Sequence, residues 1–312
     1  MRIVRDYQFA SPQDRGAVVA IGNFDGVHLG HQAVIDLTRE HAEHHKAPLG
    51  VLTFEPHPRE YFAPKAPAFR LMNAGAKANR LEKLGVQTLY QLNFNAALSN
   101  LSAEAFAQKV IHSGLGLRHV IVGSDFCFGK GRAGTAEMLD AFGKDLGFGV
   151  TVADLIGEAD QVYSSTAIRN ALSEGDPKLA AKMLGHYHRI EGEVIHGDAR
   201  GRDLGYPTAN MSLDGLHKPK YGIYAVLVDI RTGPHKGSYH GVASLGERPT
   251  FGVNIPNLES FIFDFSGDLY GAELSVALVD FQRPEQKFDS LDALIAQMDQ
   301  DSLQARATLT SL

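Results

Sequence analysis

Two histidines three residues apart, His28 and His31, open a predicted helix in the stretch AIGNFDGVHLGHQAVI (20–35), where three glycines and Asp25 stand between two apolar runs. A strand that ends in a glycine turn and enters a helix leaves backbone N–H groups pointing outward with the helix dipole behind them, which suits phosphate. At i and i+3 the two imidazoles share one side of the first turn, and either ring can donate to a phosphate oxygen. Gly30 between them lets a ligand approach closely. A backbone cap beside an exposed histidine would leave the same pattern.

Three more sets carry chemistry. In SSTAIR (164–169), Ser164, Ser165 and Thr166 lead into a helix whose first turn holds Arg169, so hydroxyls, N–H groups and a guanidinium can converge on an anion. A plain N-cap with a surface arginine reads alike. In EGEVIHGDARGRDLGYPTANM (191–211), Thr208 and Asn210 offer hard oxygen ligands for Mg²⁺ already carrying ATP phosphates. Gly197, Gly201 and Gly205 allow close backbone approach to those phosphates; a glycine-rich turn explains the residues equally well. Glu259 begins the alternating run ESFIFDF (259–265). There it is either an exposed edge glutamate or a general base toward a hydroxyl, a role worth roughly 10²- to 10⁴-fold.

Elements must hold these groups in place. In the first half, buried strands are predicted at 17–21, 49–54, 88–92, 119–122 and 150–156, separated by helical stretches at 31–45, 76–85, 102–114 and 136–147. That βαβ order implies a doubly wound parallel sheet with its ligand crevice at the carboxyl ends of the strands. GNFDG (22–26) and VGSDFCFGKGRAG (122–134) each follow a strand and should face that crevice. From about residues 184–189 the rhythm changes to strands at 189–195, 222–230, 238–245, 259–265 and 274–281, suggesting a small closed barrel, with one amphipathic helix over 290–309.

Composition bounds the class. With 312 residues and 44% hydrophobic side chains, the chain has room for about two domains of roughly 150 each. A formal net charge of −6 gives no global attraction to nucleic acid or anionic membrane. MRIVRDYQFA lacks the apolar centre of a signal peptide, and no run reaches the roughly 20 apolar residues of a membrane span. The single cysteine, Cys127, excludes an intrachain disulfide and fits a reducing, cytoplasmic setting.

GNFDGVHLGH, TFEPHP (53–58), VGSDFCFGKGRAG and SSTAIR, in this order, resemble the adenylyltransferase module of bacterial bifunctional riboflavin kinase/FAD synthetases, within the wider HxGH nucleotidyltransferase superfamily. The stretches around PTAN, YGIYAV (221–226), GVASLGERPTFG (241–252), ESFIFDFSGDLYG (259–271) and FQRPEQKFDSLDAL (281–294) resemble riboflavin kinase, a six-stranded barrel. The resemblance implies domains over 1–185 and 186–312, the first making FAD from FMN and ATP with release of pyrophosphate, the second making FMN from riboflavin and ATP. It implies that Gly22, Asn23, Phe24, Asp25, His28, Gly30 and His31 hold ATP, with Ser164, Ser165, Thr166 and Arg169 on its phosphates. Pro56, His57 and Pro58 form a stiff strand-end loop at the flavin, joined by Asp125 and Phe128. In the barrel, Gly197, Gly205 and Pro207 belong to ATP, Thr208 and Asn210 to Mg²⁺, Glu259 is the base, and Arg283 lies beside the flavin. Family members form larger assemblies, so a homo-oligomer is an expectation by resemblance.

The chain departs from the family pattern at Ser124 and Cys127, which replace an acid and a base, and at His186, which replaces an arginine. Phe261 stands where many members have histidine, and Ser244 where asparagine is frequent. The changes at Ser124 and Cys127 bear on flavin affinity, that at His186 on the junction's contact to either site, and neither Phe261 nor Ser244 removes an expected catalytic group. A chain active only in adenylyl transfer and a flavin- or nucleotide-binding regulator without turnover are competing readings. Intact PTAN and Glu259 weigh against the first, and the presence of His31, Thr208 and Glu259 against the second. His41, His44 and His45, without a motif acid, read as a solvated helix face, and Cys127 as an incidental thiol. The basic run His217–Lys220 is expected to form a flap near the phosphate site.

Overall fold

A computed structural model describes residues 1–154, 157–158, 161–196, 205–250 and 253–312, with backbone alone at 157–158, 161–162, 248–250 and 253–255. Gly197 and Gly201 lie outside the described residues. The chain packs as two compact units, one of residues 1–67 and 77–163, the other of 68–76 and 164–312.

The first unit carries β1 (Arg2–Val4), β2 (Val18–Ile21), α1 (Leu29–His45), β3 (Leu49–Glu55), α2 (Pro58–Phe62), most of α3 (Ala74–Lys83), β4 (Thr88–Asn93), the short α4 (Ala96–Ser99) and α5 (Ala103–Phe106), and β5 (His119–Gly123). A two-residue ribbon of β6 (Cys127–Phe128) and β7 (Gly134–Thr135), α6 (Ala136–Leu146), β8 (Gly149–Ala153) and the ladder of β9 (Gly157–Glu158) with β10 (Gln161–Val162) complete it. The main sheet is parallel, in the order β1-β4-β3-β2-β5-β8. Its central strands are apolar runs because both faces are covered. α1 lies against β2, β3 and β5. Another core cluster joins Val19, Ile21, Leu52, Val120 and Val122 to Phe106, Val110 and Leu139. The chain leaves β2 toward β3 and leaves β5 toward β8, so the carboxyl ends of these neighbours flank the crevice where the winding reverses. Both glycine-rich stretches stand there, as expected.

The helix expected over 102–114 is α5 followed by a π-helical stretch, Ala107–Gly114. β1, only three residues long at the sheet edge, has no counterpart in the sequence reading.

The second unit holds α7 (Ser165–Glu174), α8 (Pro177–Leu184), β11 (His188–Glu193), β12 (Thr208–Ser212), β13 (Gly222–Ile230), β14 (Gly237–Thr250), β15 (Val253–Ile262), β16 (Glu273–Arg283) and α9 (Leu291–Thr310). Its six strands are antiparallel in the order β11-β16-β13-β14-β15-β12. The sheet curls into a half-barrel whose edges meet, among the described residues, at one isolated bridge in which Ile195 N donates to Asn210 O at 2.9 Å. One face packs Ala209, Met211, Ala243, Leu245 and Leu258 inside, and on the other Ala305 and Leu309 of α9 cover Ala225, Val242 and Val279. Ser290 caps α9, its Oγ accepting from Ala293 N at 3.2 Å. PTAN turns out to be strand rather than turn: Thr208–Ser212 pairs with β15.

Candidate active sites

In the first unit, β2 ends at Gly22, whose N–H donates to Leu52 O at 3.1 Å, and the chain turns through Phe24, Gly26 and Val27 at positive φ into α1. His28 is the N-cap, its Nδ1 accepting the His31 N–H at 3.3 Å. The two rings stack at 3.7 Å between centroids, with Phe24 at 5.0 Å from His31. Gly30 leaves room for this packing, since a Cβ there would come within 3.2 Å of the His28 ring. Burial pushes His28 down to about 4. His31 is held well below its ordinary value by burial first, then by His28 and Lys77. Both are therefore neutral at pH 7, and with Nδ1 of His28 accepting, its proton sits on Nε2 as a donor. His31 Nδ1 is buried without a hydrogen-bond partner among the described residues.

Beneath the turn lies a residue the sequence reading missed. Lys77, 1% exposed, donates from Nζ to Asn23 O at 2.9 Å and to Thr53 Oγ1 at 3.3 Å, and Thr53 Oγ1 itself donates to Asn23 O. Its signal was its place four residues before buried Leu81, on the inward stripe of α3. Asp25 is buried and Asn23 is held through its carbonyl.

The other crevice residues are less uniform. His57 caps α2, its Nδ1 accepting from Arg59 N at 3.0 Å while its own N–H donates to Glu60 Oε2 at 3.1 Å; Pro58 opens the helix and Pro56 ends β3. Asp125 is exposed. Phe128 belongs to the core, 6% exposed against Phe106 and Phe126. An aromatic group the sequence reading passed over stands at the ends of β3 and β4: Phe54, Tyr61 and Phe62 surround Phe94 at 5.3–5.7 Å, and Phe62 is 68% exposed.

In the second unit Ser164 is the N-cap of α7, its Oγ accepting from Ala167 N at 3.2 Å. Ser165 and Thr166 form the first turn. Arg169 donates from Nε to Phe69 O at 2.6 Å, lies 5.2 Å over the Phe69 ring and reaches Thr166 Oγ1 at 3.5 Å. The basic run 217–220 is stitched down rather than flap-like. His217 N donates to Arg70 O, Lys220 N donates to Leu172 O, and His217 Nε2 lies 3.0 Å from Arg169 O.

The barrel candidates share a face. Asn210 is the direct partner of Glu259, and Thr208 of Phe261, across β12 and β15; Ser244 faces Glu259 from β14. Because alternate residues Ala209, Met211 and Leu258 fill the core, Thr208, Asn210 and Glu259 point the other way. Asn210 Oδ1 accepts from Asn257 Nδ2 at 2.9 Å. Asn257, two before Glu259, was legible by the same alternation. Glu285 is raised by burial first, then by Glu247 and Glu259, and Glu247 is itself engaged, its Oε1 accepting from the Tyr221 hydroxyl at 2.9 Å and lying 3.6 Å from Lys218 Nζ. Gly205 sits in an exposed turn and Pro207 is exposed. Arg283 has another partner: Nε and Nη2 donate to Asp301 Oδ1 and Oδ2 at 2.8 and 2.6 Å, tying β16 to α9.

A sequence model of the FAD synthetase family matches residues 10–167, and one of riboflavin kinase matches residues 184–309. A bifunctional riboflavin kinase/FMN adenylyltransferase from Pseudomonas fluorescens is 42% identical over 98% of this chain and 97% of its own length. The chain belongs to the bifunctional riboflavin kinase/FMN adenylyltransferase family. Family members of the same description from Escherichia coli K12 and Bacillus subtilis are 38% and 36% identical, each over 98% of this chain and 97% and 96% of their own lengths. A crystal structure described as a macrolide-efflux protein from Streptococcus pneumoniae has a TM-score of 0.83 at 32% identity, covering 97% of this chain and 98% of that one. Among the described residues no helix is long and apolar enough to cross a membrane. As a riboflavin kinase/FMN adenylyltransferase, the chain phosphorylates riboflavin to FMN and adenylylates FMN to FAD, with ATP as the donor in both steps.

Proposed function

We propose the following division of labour for this bifunctional enzyme. Residues 1–185 carry adenylyl transfer and 186–312 the kinase reaction, in keeping with family matches that end at 167 and begin at 184. His28 and His31 hold ATP phosphates at the N-terminus of α1 with Gly22, Asn23, Phe24, Asp25 and Gly30, and His31 Nδ1 gains a polar partner when nucleotide binds. Ser164, Ser165, Thr166 and Arg169 take β- and γ-phosphate charge. The FMN phosphate attacks the α-phosphorus, so the protein's work is positioning and charge neutralisation. Pro56, His57, Pro58 and Asp125 border the flavin, Phe128 backs them from the core, and exposed Phe62 adds a ring face.

In the kinase half, Gly197, Gly205 and Pro207 approach ATP, Thr208 and Asn210 hold Mg²⁺, and Glu259 takes the proton of the ribityl hydroxyl. The hard oxygens of Thr208 and Asn210, with the Glu259 carboxyl group opposite Asn210, suit that cation, which when bound would neutralise phosphate charge. Arg283 enters on resemblance alone, since Asp301 engages its guanidinium. The carrying observation is the register that faces Asn210 with Glu259 away from the core.

Incubation of the enzyme with Mg-ATP and either riboflavin or FMN, with chromatographic separation of the flavins, tests this reading. FMN then FAD should form from riboflavin, and FAD from FMN, and excess EDTA should stop both steps. FAD from FMN without FMN from riboflavin would remove the kinase assignments. A cytoplasmic location is in keeping with the single cysteine, and a homo-oligomer rests on resemblance alone.

A further inference from the structure

His41 and His45 lie one turn apart on the last turns of α1, and His119 opens β5, against which α1 packs. His41 and His119 stack at 4.5 Å, His45 lies 5.5 Å from His119, and one ring nitrogen from each of the three falls within 4.8 Å of the others. The solvated face expected for His41, His44 and His45 is therefore only partly so: His41 and His45 are half-buried, and of the three histidines only His44 is exposed.

The surroundings are shaped to these rings. Gly149 pairs with His119 across β5 and β8, and a Cβ at Gly149 would stand 2.1 Å from His119 Nδ1, so only glycine leaves the imidazole its place. Thr151 Oγ1 lies 2.8 Å from His119 Nε2 and 3.4 Å from His41 Nε2, a single hydroxyl that orients both. Arg118 donates to His45 O at 2.7 Å and fixes the end of α1.

The geometry points to a second metal site, in which His41, His45 and His119 bind one divalent transition ion of the zinc class. Imidazoles one helical turn apart aim at one point, and a tetrahedral Zn²⁺ with bonds of about 2.0–2.1 Å needs nitrogens about 3.4 Å apart, a closure side-chain rotation supplies. All-nitrogen donors select Zn²⁺, Co²⁺, Ni²⁺ or Cu²⁺ over Mg²⁺, which demands oxygen. The site is far from the phosphate turn: the 17 residues of α1 separate His28 from His45 by about 25 Å. The ion's work is to clip α1 to β5, and since it binds the folded form it raises that form's stability.

The test is a titration of chelator-stripped full-length enzyme with Zn²⁺ against a chromophoric competitor, with a thermal melt at each point and Co²⁺ absorption as a geometry readout. The expected result is one equivalent bound with a raised melting temperature. His45→Ala and His119→Gln should each weaken this binding at least tenfold and lose the shift. His44→Ala and His31→Ala should keep both, while retained FMN adenylylation shows that the His45 and His119 variants are folded. Absence of an equimolar site, or a site lost in His31→Ala and kept in His119→Gln, overturns the assignment.

Discussion

His28 Nδ1 accepts the backbone N–H of His31 while the two rings stack at 3.7 Å, so the first histidine is both helix cap and wall for the second. The two substitutions therefore differ. His31→Ala should cut FMN-to-FAD turnover at least a hundredfold with little loss of stability. His28→Ala should do the same and also cost about 1 kcal/mol for the lost cap. Flavin chromatography with urea denaturation separates the two, and equal stability losses would refute the capping role.

Acid should loosen the protein through its buried histidines. Burial holds His28 at about 4 and His188 at about 3, whereas an unfolded histidine titrates near 6.5. Between those values the unfolded chain carries more protons, so stability is full above pH 6.5 and falls as pH drops toward 4. For His28 the full loss is on the order of 3 kcal/mol. Urea midpoints at pH 7.5, 6 and 5 should decline, and His188→Phe should flatten the decline. A flat wild-type profile would count against burial as the cause.

Lys77 puts a positive charge under the HxGH turn. Lys77→Met should lower FMN adenylylation at least tenfold, leave riboflavin phosphorylation unchanged, and raise the His31 pKa, because a neighbouring cation that disfavours imidazolium is gone. Histidine ring resonances followed by NMR through a pH titration report that rise. An unmoved His31 would reduce Lys77 to a support for Asn23.

Much of this architecture is legible in the sequence, and the exceptions have physical causes. β2, β3, β4 and β5 read correctly because both faces are buried and the residues run apolar without a break. β12 did not, because Pro207 and the glycines before it carry a turn signature while its strand character comes from pairing with β15. The change of rhythm near residue 184 marks where strands replace helices; α7 belongs with the second unit through partners distant in sequence, Phe69 and His217. The same limit hid His119 beside His41, and Asp301 beneath Arg283. Motif spacing points to candidate residues for the chemistry, but not to which neighbours already occupy them.

Glu259 faces Asn210 across β12 and β15, and its charge helps to raise Glu285. Glu259→Gln keeps the shape and removes the proposed base. Riboflavin phosphorylation should fall by about 10²- to 10⁴-fold while FMN still becomes FAD. Normal kinase turnover in the variant would remove Glu259 from proton transfer.

The Arg283–Asp301 pair decides between two roles for Arg283. Both carboxylate oxygens accept from the guanidinium, Asp301 is 4% exposed, and Gln297 Nε2 also donates to Asp301 Oδ1 at 2.9 Å. Removing one member of such a buried pair leaves the other charge without its counterpart, at a cost of about 3–5 kcal/mol. If the pair chiefly holds α9 on β16, Asp301→Leu should destabilise the second unit by that order, and Arg283→Met added to it should restore much of the loss, because the stranded charge is removed. Kinase turnover should return with stability. Should the double variant be stable yet bind riboflavin at least tenfold more weakly, measured by flavin fluorescence, Arg283 also contacts the flavin and the pair aims the guanidinium as well as anchoring the helix.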